Sequence, residues 1–244
     1  MTNLVPTTKR SQGGFTLVEL AIVMIIIGLL IGGVLKGQEL INNAQVTATV
    51  SQVKSIEAAT STFRDVYSAL PGDMTSPTTR LPNCAAAPCN VPGNGDGRLS
   101  NIPGATPVGA EGESYFVHLS AADLLTGIVP GSTAIGGNYP GAKINGVAIL
   151  AGSATVPGNL TGAISTLDAS AGLYLVLTDT IGAQSATTLG LKPTEALRID
   201  SKLDDGTAIT GTVRARGANC ADAAGVYATN TAGQTCGLYI RIQG

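Results

Sequence analysis

The chain has 244 residues, of which 12% are charged, with 32 glycines, no tryptophan and a formal net charge of −2. That length supplies one globular domain of ordinary size beside an apolar segment. A near-neutral balance with few basic residues argues against a nucleic-acid binder, whose footprint is a basic patch.

Lys9 and Arg10 lead into Gly13-Gly14, and an apolar run follows from Phe15 to Leu35, interrupted by one charge, Glu19. A helix of about 20 residues, rising about 1.5 Å per residue, reaches roughly 30 Å and spans a bilayer. The basic residues ahead of it favour an N-in, C-out orientation. A secretory signal cut after the apolar run is the competing reading. Such a signal has an apolar core of roughly 7–15 residues with small residues after it, whereas here the run is longer and the small pair precedes it. A charge in the bilayer interior costs about 2.5 kcal/mol or more, so Glu19 calls for a partner and a function.

Gly14-Phe15-Thr16-Leu17-Val18-Glu19 resembles the processing site of type IV pilins and the related pseudopilins. The resemblance is close over about the first 55 residues and loose beyond. It implies a leader of residues 1–14, cut between Gly14 and Phe15 by a prepilin peptidase on the cytoplasmic face, and N-methylation of the new Phe15 amine. Glu19 then stands at the fifth mature position, where the family keeps a glutamate. In an assembling bundle Glu19 of one subunit can meet the Phe15 amine of its neighbour. Each buried charge is costly alone and tolerable when paired, so the pair sets register.

Residues 15–70 read as one long helix, with no proline before Pro71. Its first half, 15–35, is the membrane and filament-core segment. Past Lys36 the pattern becomes one-sided. Val46, Val50, Val53, Ile56, Phe63, Val66, Tyr67 and Leu70 recur at helical spacing, with Gln52, Lys54, Glu57, Arg64 and Asp65 between them, an amphipathic face for a domain core. Gly28, Gly32, Gly33 and Gly37 have the small-residue spacing that lets membrane helices approach closely. They also weaken the helix by about 1 kcal/mol each relative to Ala. Many pilins carry a proline near mature position 22, where this chain has Lys36. The glycines are the candidate point at which the helix loosens during assembly.

Residues 71–110 are loop-like. Four cysteines, Cys84, Cys89, Cys220 and Cys236, read as two disulfides in an oxidising compartment. They allow three connectivities, of which Cys84–Cys89 with Cys220–Cys236 closes the shortest loops. Their spacings fit the common zinc patterns poorly. In Gly93-Asn94-Gly95-Asp96-Gly97, Asn94 and Asp96 could offer oxygens to Ca²⁺, and some pseudopilins bind calcium. Arg98 stands where a further ligand would help, and Asn and Asp beside Gly are also ordinary turn formers. No other cofactor is implied.

Glu113 to Thr126 reads as a second helix, with Phe116, Leu119 and Ala122 as its buried stripe and Gly127 as its C-terminal cap. Residues 113–127 resemble a segment of large pilin-like proteins. His118, the one histidine, reads as structural or exposed. Strand signals follow at Val147–Leu150, Leu173–Thr178, Ile209–Ala215 and Leu238–Ile242, the last alternating as though one face is buried. A short helix is expected over Thr194–Asp204, capped by Thr194, with Asp200, Asp204 and Asp205 at a solvated end.

No nucleophile elbow, phosphate loop or haem site is present, so the expectation is a structural protein rather than an enzyme. The expected fold is α+β, a pilin fold. Its long N-terminal helix packs its amphipathic half on an antiparallel sheet, with a head domain over 71–244 and a disulfide-tied C-terminal loop. The expected function is a subunit of a type IV pilus or pilus-like filament. The partners are copies of itself and the pilus assembly platform, with the inner membrane as home before assembly and the cell surface after it. A pseudopilin of a type II secretion system and a minor tip pilin with a binding role are the alternatives.

Overall fold

The computed structural model describes residues 14, 16–100, 110–132, 134–144, 146–154, 160, 170–179, 181 and 189–242. Two compact units divide the chain, residues 1–41 and 42–244.

In the first unit the described chain is helical from Leu17 onward, as the opening part of α1 (Leu17–Tyr67). Large apolar side chains from Leu17 to Ile41 are exposed. This stretch is long and apolar enough to cross a membrane, with a mean hydropathy of 2.7. The helix runs unbroken through Gly28, Gly32, Gly33 and Gly37.

The second unit holds every buried residue among those described, beginning at Val46. Within α1 the buried face is Val46, Val50, Val53, Ile56 and Phe63 together with Thr49, Ala59 and Thr60. The two threonines are tolerated there because their hydroxyls donate to the carbonyls of Gln45 and Ile56, at 2.9 and 2.8 Å. Val66, expected on this face, is 65% exposed. The helix stops at Tyr67, short of Leu70, where Ser68 takes a φ of +49° and its N–H closes on the Arg64 carbonyl.

The segment expected as loop contains a four-residue helix, α2 (Pro77–Arg80). The second long helix, α3, covers Ala110–Ala121 rather than 113–126. Its end is set by Asp123 and not by Gly127. Asp123 adopts a φ of +58°, its N–H reaches the Ser120 carbonyl, and the Leu124 N–H reaches Leu119 O at 3.0 Å. That is a Schellman cap, which satisfies the last carbonyls of the helix. Asn and Asp tolerate the left-handed region better than other side chains, so Asp can stand where Gly is commoner.

Strands β1 (Ala148–Ala154), β2 (Gly172–Thr178), β3 (Val213–Arg216) and β4 (Gly237–Ile242) form one antiparallel sheet in the order β1-β2-β4-β3. β1 runs four residues beyond its expected end. β3 starts at Val213 instead of Ile209, because Thr207–Thr212 turn back on the Asp204 and Asp205 carboxylates. α4 (Pro193–Leu203) opens at Lys192 rather than Thr194. Pro193 takes the first turn, and the Glu195 carboxylate accepts the Lys192 N–H at 2.9 Å.

On one sheet face the register aligns Leu175 with Ile240 and Ile240 with Val213, an apolar layer within the core shared with α1. Most of the opposite face is buried as well, so β4 departs from the expected single buried face, although Arg241 stays exposed. Tyr239 is fully buried, edge-on to Tyr174 at 6.5 Å, with the Arg216 guanidinium 5.7 Å over its ring. Arg216 lies opposite Gly237, where an added Cβ would come within 2.8 Å of the Arg216 stem. The absent side chain is what lets Arg216 cross to Tyr239. This is the α+β arrangement the resemblance implies, with a disulfide in the C-terminal region.

Candidate functional site

The residues singled out in the sequence fall in four places. At the start of α1, Phe15 lies outside the described residues. Gly14, Thr16 and Glu19 are described and exposed. Thr16 is the cap of the helix: its carbonyl accepts the first helical bond from Leu20, and its hydroxyl accepts the Glu19 N–H, both at 3.2 Å. Glu19 reaches back, and its carboxylate accepts from the Thr16 N–H at 3.3 Å and the Thr16 hydroxyl at 3.2 Å. This reciprocal capping box satisfies two orphan amides. Thr16-x-x-Glu19 is its sequence signature. Thr16 is not among the residues singled out in the sequence, although this four-residue spacing marks it. The carboxylate also sits in the first helical turn, where the macrodipole favours a negative group.

The second place is the buried side of α3. Disulfides join Cys84 to Cys89 and Cys220 to Cys236, with Cα separations of 5.2 and 4.8 Å. His118 is buried beside the first. Its Nδ1 accepts the Gly72 N–H, and its Nε2 donates to the Cys89 carbonyl, both at 2.9 Å. Burial pulls the imidazole below its ordinary range, so it is neutral and its tautomer is fixed by these partners. Cys84, Cys89 and His118 approach within 4.8 Å. The sulfurs are bonded to each other and both ring nitrogens are engaged, so this trio serves as a brace and offers no metal donor.

The third is the Asn94/Asp96 loop. Two buried carboxylates, neither noticed in the sequence, hold it. Asp73 accepts the Gly95 and Gly97 amides at 2.6 and 2.7 Å, and Glu111 accepts those of Asn94 and Ser100 at 3.0 and 2.6 Å. The Asn94 Oδ1 is taken by the Asp96 N–H, and the Asp96 Oδ1 by the Arg98 N–H, each at 2.9 Å. The oxygens considered for Ca²⁺ each accept an amide of the loop itself, as the side chains of Asx turns do. Gly72, with a φ of +86°, lies so close to Glu111 O that a Cβ would approach to 2.2 Å, and this tight passage brings Asp73 and Glu111 to the same loop.

The fourth is the end of α4. Asp200 is fully buried rather than solvated. It accepts the Tyr227 hydroxyl at 2.7 Å and the Gly206 amide at 3.2 Å. Burial pushes its carboxyl up to about 6, against the pull of those bonds. Asp204 accepts from Thr212 and Val213, and Asp205 from Thr207 and Thr210. Each carboxylate near α4 closes a turn, and Tyr227 links α4 to the loop tied by Cys220–Cys236.

Among the described residues no nucleophile, base and orienting group come together. Residues 9–35 match a family model, the prokaryotic N-terminal methylation motif. Neither a curated protein nor a solved structure matches the chain. The chain thus carries the prepilin-type signature, which runs into a long apolar helix.

Proposed function

We propose that this protein is a structural subunit of a helical, pilus-like filament. The observation that carries this reading is the methylation motif at residues 9–35 running into an exposed apolar helix. A prepilin peptidase cuts between Gly14 and Phe15 and methylates the Phe15 amine. Before assembly the chain sits in the inner membrane, N-terminus inward, with its head outside. On assembly the apolar side chains of 17–41 leave lipid for other copies, so close van der Waals packing between helices, rather than removal from water, holds them together. Head-to-tail contacts of this kind do not close on themselves, so they propagate into a filament.

Within that filament the new Phe15 amine of one copy meets Glu19 of the next. Glu19 brings to this contact a carboxylate already ordered by Thr16, so the loss of rotamer freedom on pairing is small. The four glycines from Gly28 to Gly37 present no side chain to a neighbouring helix, and nothing in the unassembled chain lies near where their Cβ atoms would be. They are the stretch that loosens or packs closely on assembly.

The test is to shear filaments from native cells and measure intact mass and N-terminal peptides. A dominant species beginning at methylated Phe15 in the sheared fraction supports the filament subunit. The same processed species confined to the envelope, or present only in trace, makes the chain a pseudopilin or a minor tip subunit. A chain that retains residues 1–14 overturns the reading.

A further inference from the structure

Two adjoining cavities open along the second unit where the end of α1 meets the 73–98 loop. One has a volume of about 700 Å³ and the other about 230 Å³, and they share Arg64, Leu70 and Gly97 as lining. Arg80 lines the larger and Arg98 the smaller. Three guanidiniums therefore border one groove in a chain whose overall charge is −2. Arg80 is held by a hydrogen bond to the Tyr67 carbonyl. Among the described residues, no hydrogen bond or ion pair within the chain engages the Arg64 or Arg98 guanidinium.

Among the described residues no carboxylate lines the smaller cavity, which Arg64 and Arg98 both border, whereas the larger one also holds Asp65 and Asp73. Asp73 also lines the groove, but it is buried and both of its oxygens are filled by the Gly95 and Gly97 amides. Asp65 is the other acid in the lining. Asp96 turns its Oδ1 to the Arg98 amide. That bond and the Asp73 clamp fix the backbone that presents Arg98, so the guanidiniums project from a helix and a braced loop rather than from a free one. A backbone fixed in this way lowers the part of the ordering cost of binding that the main chain would bear.

We infer that this groove binds an acidic saccharide. Its carboxylate or sulfate lies between Arg64 and Arg98, and its hydroxyls run along Ser61, Ser68 and Thr75. Planar guanidiniums suit carboxylate and sulfate oxygens, and hydrogen bonds to them are charge-assisted. The hydroxyls of the larger cavity suit a polyol. Among the described residues no aromatic ring lines either cavity, so they supply no stacking platform of the kind on which single-stranded nucleic acids depend. The inference stands apart from the filament reading, because it concerns the unassembled chain.

The test is a binding titration on the full processed chain in detergent. The probes are a sulfated, uronate-containing tetrasaccharide, a neutral tetrasaccharide of the same length, and a single-stranded oligonucleotide of matched charge. The acidic tetrasaccharide is expected to bind, the neutral one to bind at least about tenfold more weakly, and binding to fall with added salt. Arg64→Gln with Arg98→Gln is expected to weaken it about tenfold or more. The charge-matched pair Lys143→Gln with Lys202→Gln, at exposed positions outside the lining, should change it less than about twofold. Should the double arginine variant fail to fold, Arg98→Gln alone carries the comparison. No saturable binding of the acidic probe overturns the inference. So does an equal loss in the lysine pair, which would mean diffuse charge attraction, or tighter binding of the oligonucleotide.

Discussion

Glu19 meets two demands with one carboxylate. It caps α1 through Thr16, and in the filament we propose, it pairs with the amine of a neighbour. The roles separate by substitution. Thr16→Ala removes half the cap, at about 1 kcal/mol, and keeps the charge. Glu19→Gln keeps an oxygen for the Thr16 amide and loses the charge. Filament yield is expected to be near normal for Thr16→Ala and to drop about tenfold or more for Glu19→Gln and Glu19→Ala alike, since an unpaired buried amine is costly. A normal yield from Glu19→Gln would leave capping as the whole role. At the same scale, Asp200 and His118 pull stability in opposite directions with pH. The Asp200 carboxyl is raised to about 6, so its contribution is full below about pH 4 and is lost as pH rises through about 6. His118 is lowered, so its contribution is present at neutral pH and lost on acidification below its ordinary range near 6.5. Thermal melts of Asp200→Asn from pH 7 to 5 should therefore show a steeper loss than the parent chain. Parallel curves would mean that Asp200 is not titrating in the fold.

The head is assembled from elements whose ends depend on distant side chains. The 93–100 loop is held by Asp73 from the chain after α1 and Glu111 from α3. Each carboxylate accepts two amides, and hydrogen bonds to charged groups contribute about 1.5–3 kcal/mol. Asp73→Asn keeps the shape but leaves one of the two amides facing an N–H₂. Its cost is expected to be about 2 kcal/mol, with faster hydrogen exchange at Gly95 and Gly97 and little change in β2 or β4. Uniform acceleration across the sheet would mean that the loop is integral to the global fold. The C-terminal disulfide constrains the unfolded chain over a loop for which about 3 kcal/mol is typical. Tyr227 couples the chain inside that loop to α4.

For the molecule as a whole, the division of buried surface makes a direct prediction. Every buried residue among those described lies at Val46 or beyond, and the second compact unit begins at residue 42. A fragment of residues 42–244 is therefore expected to be soluble without detergent, to form both disulfides and to melt cooperatively. Aggregation of that fragment, or a broad melt, would show that the apolar half of α1 is required for the head to fold.

The sequence by itself determined the features that are local. The apolar run and the motif from Gly14 to Glu19 are read within one short stretch. So are the helical period from Val46 to Phe63 and the strand pattern over Leu173–Thr178, because periodicity and composition need no partner. Tertiary structure decided whatever depends on residues far apart in the chain. Asp123 ends α3 through a cap that Gly127 was expected to supply, Val213 starts β3 only because Asp204 and Asp205 hold the preceding turn, and Tyr239 is buried because Arg216 crosses Gly237 to cover it. The oxygens of Asn94 and Asp96 accept amides of their own loop, which Asp73 and Glu111 hold in a tight fold. A carboxylate's neighbours, and hence its burial and charge, are fixed by packing between segments, and no single stretch of sequence records that.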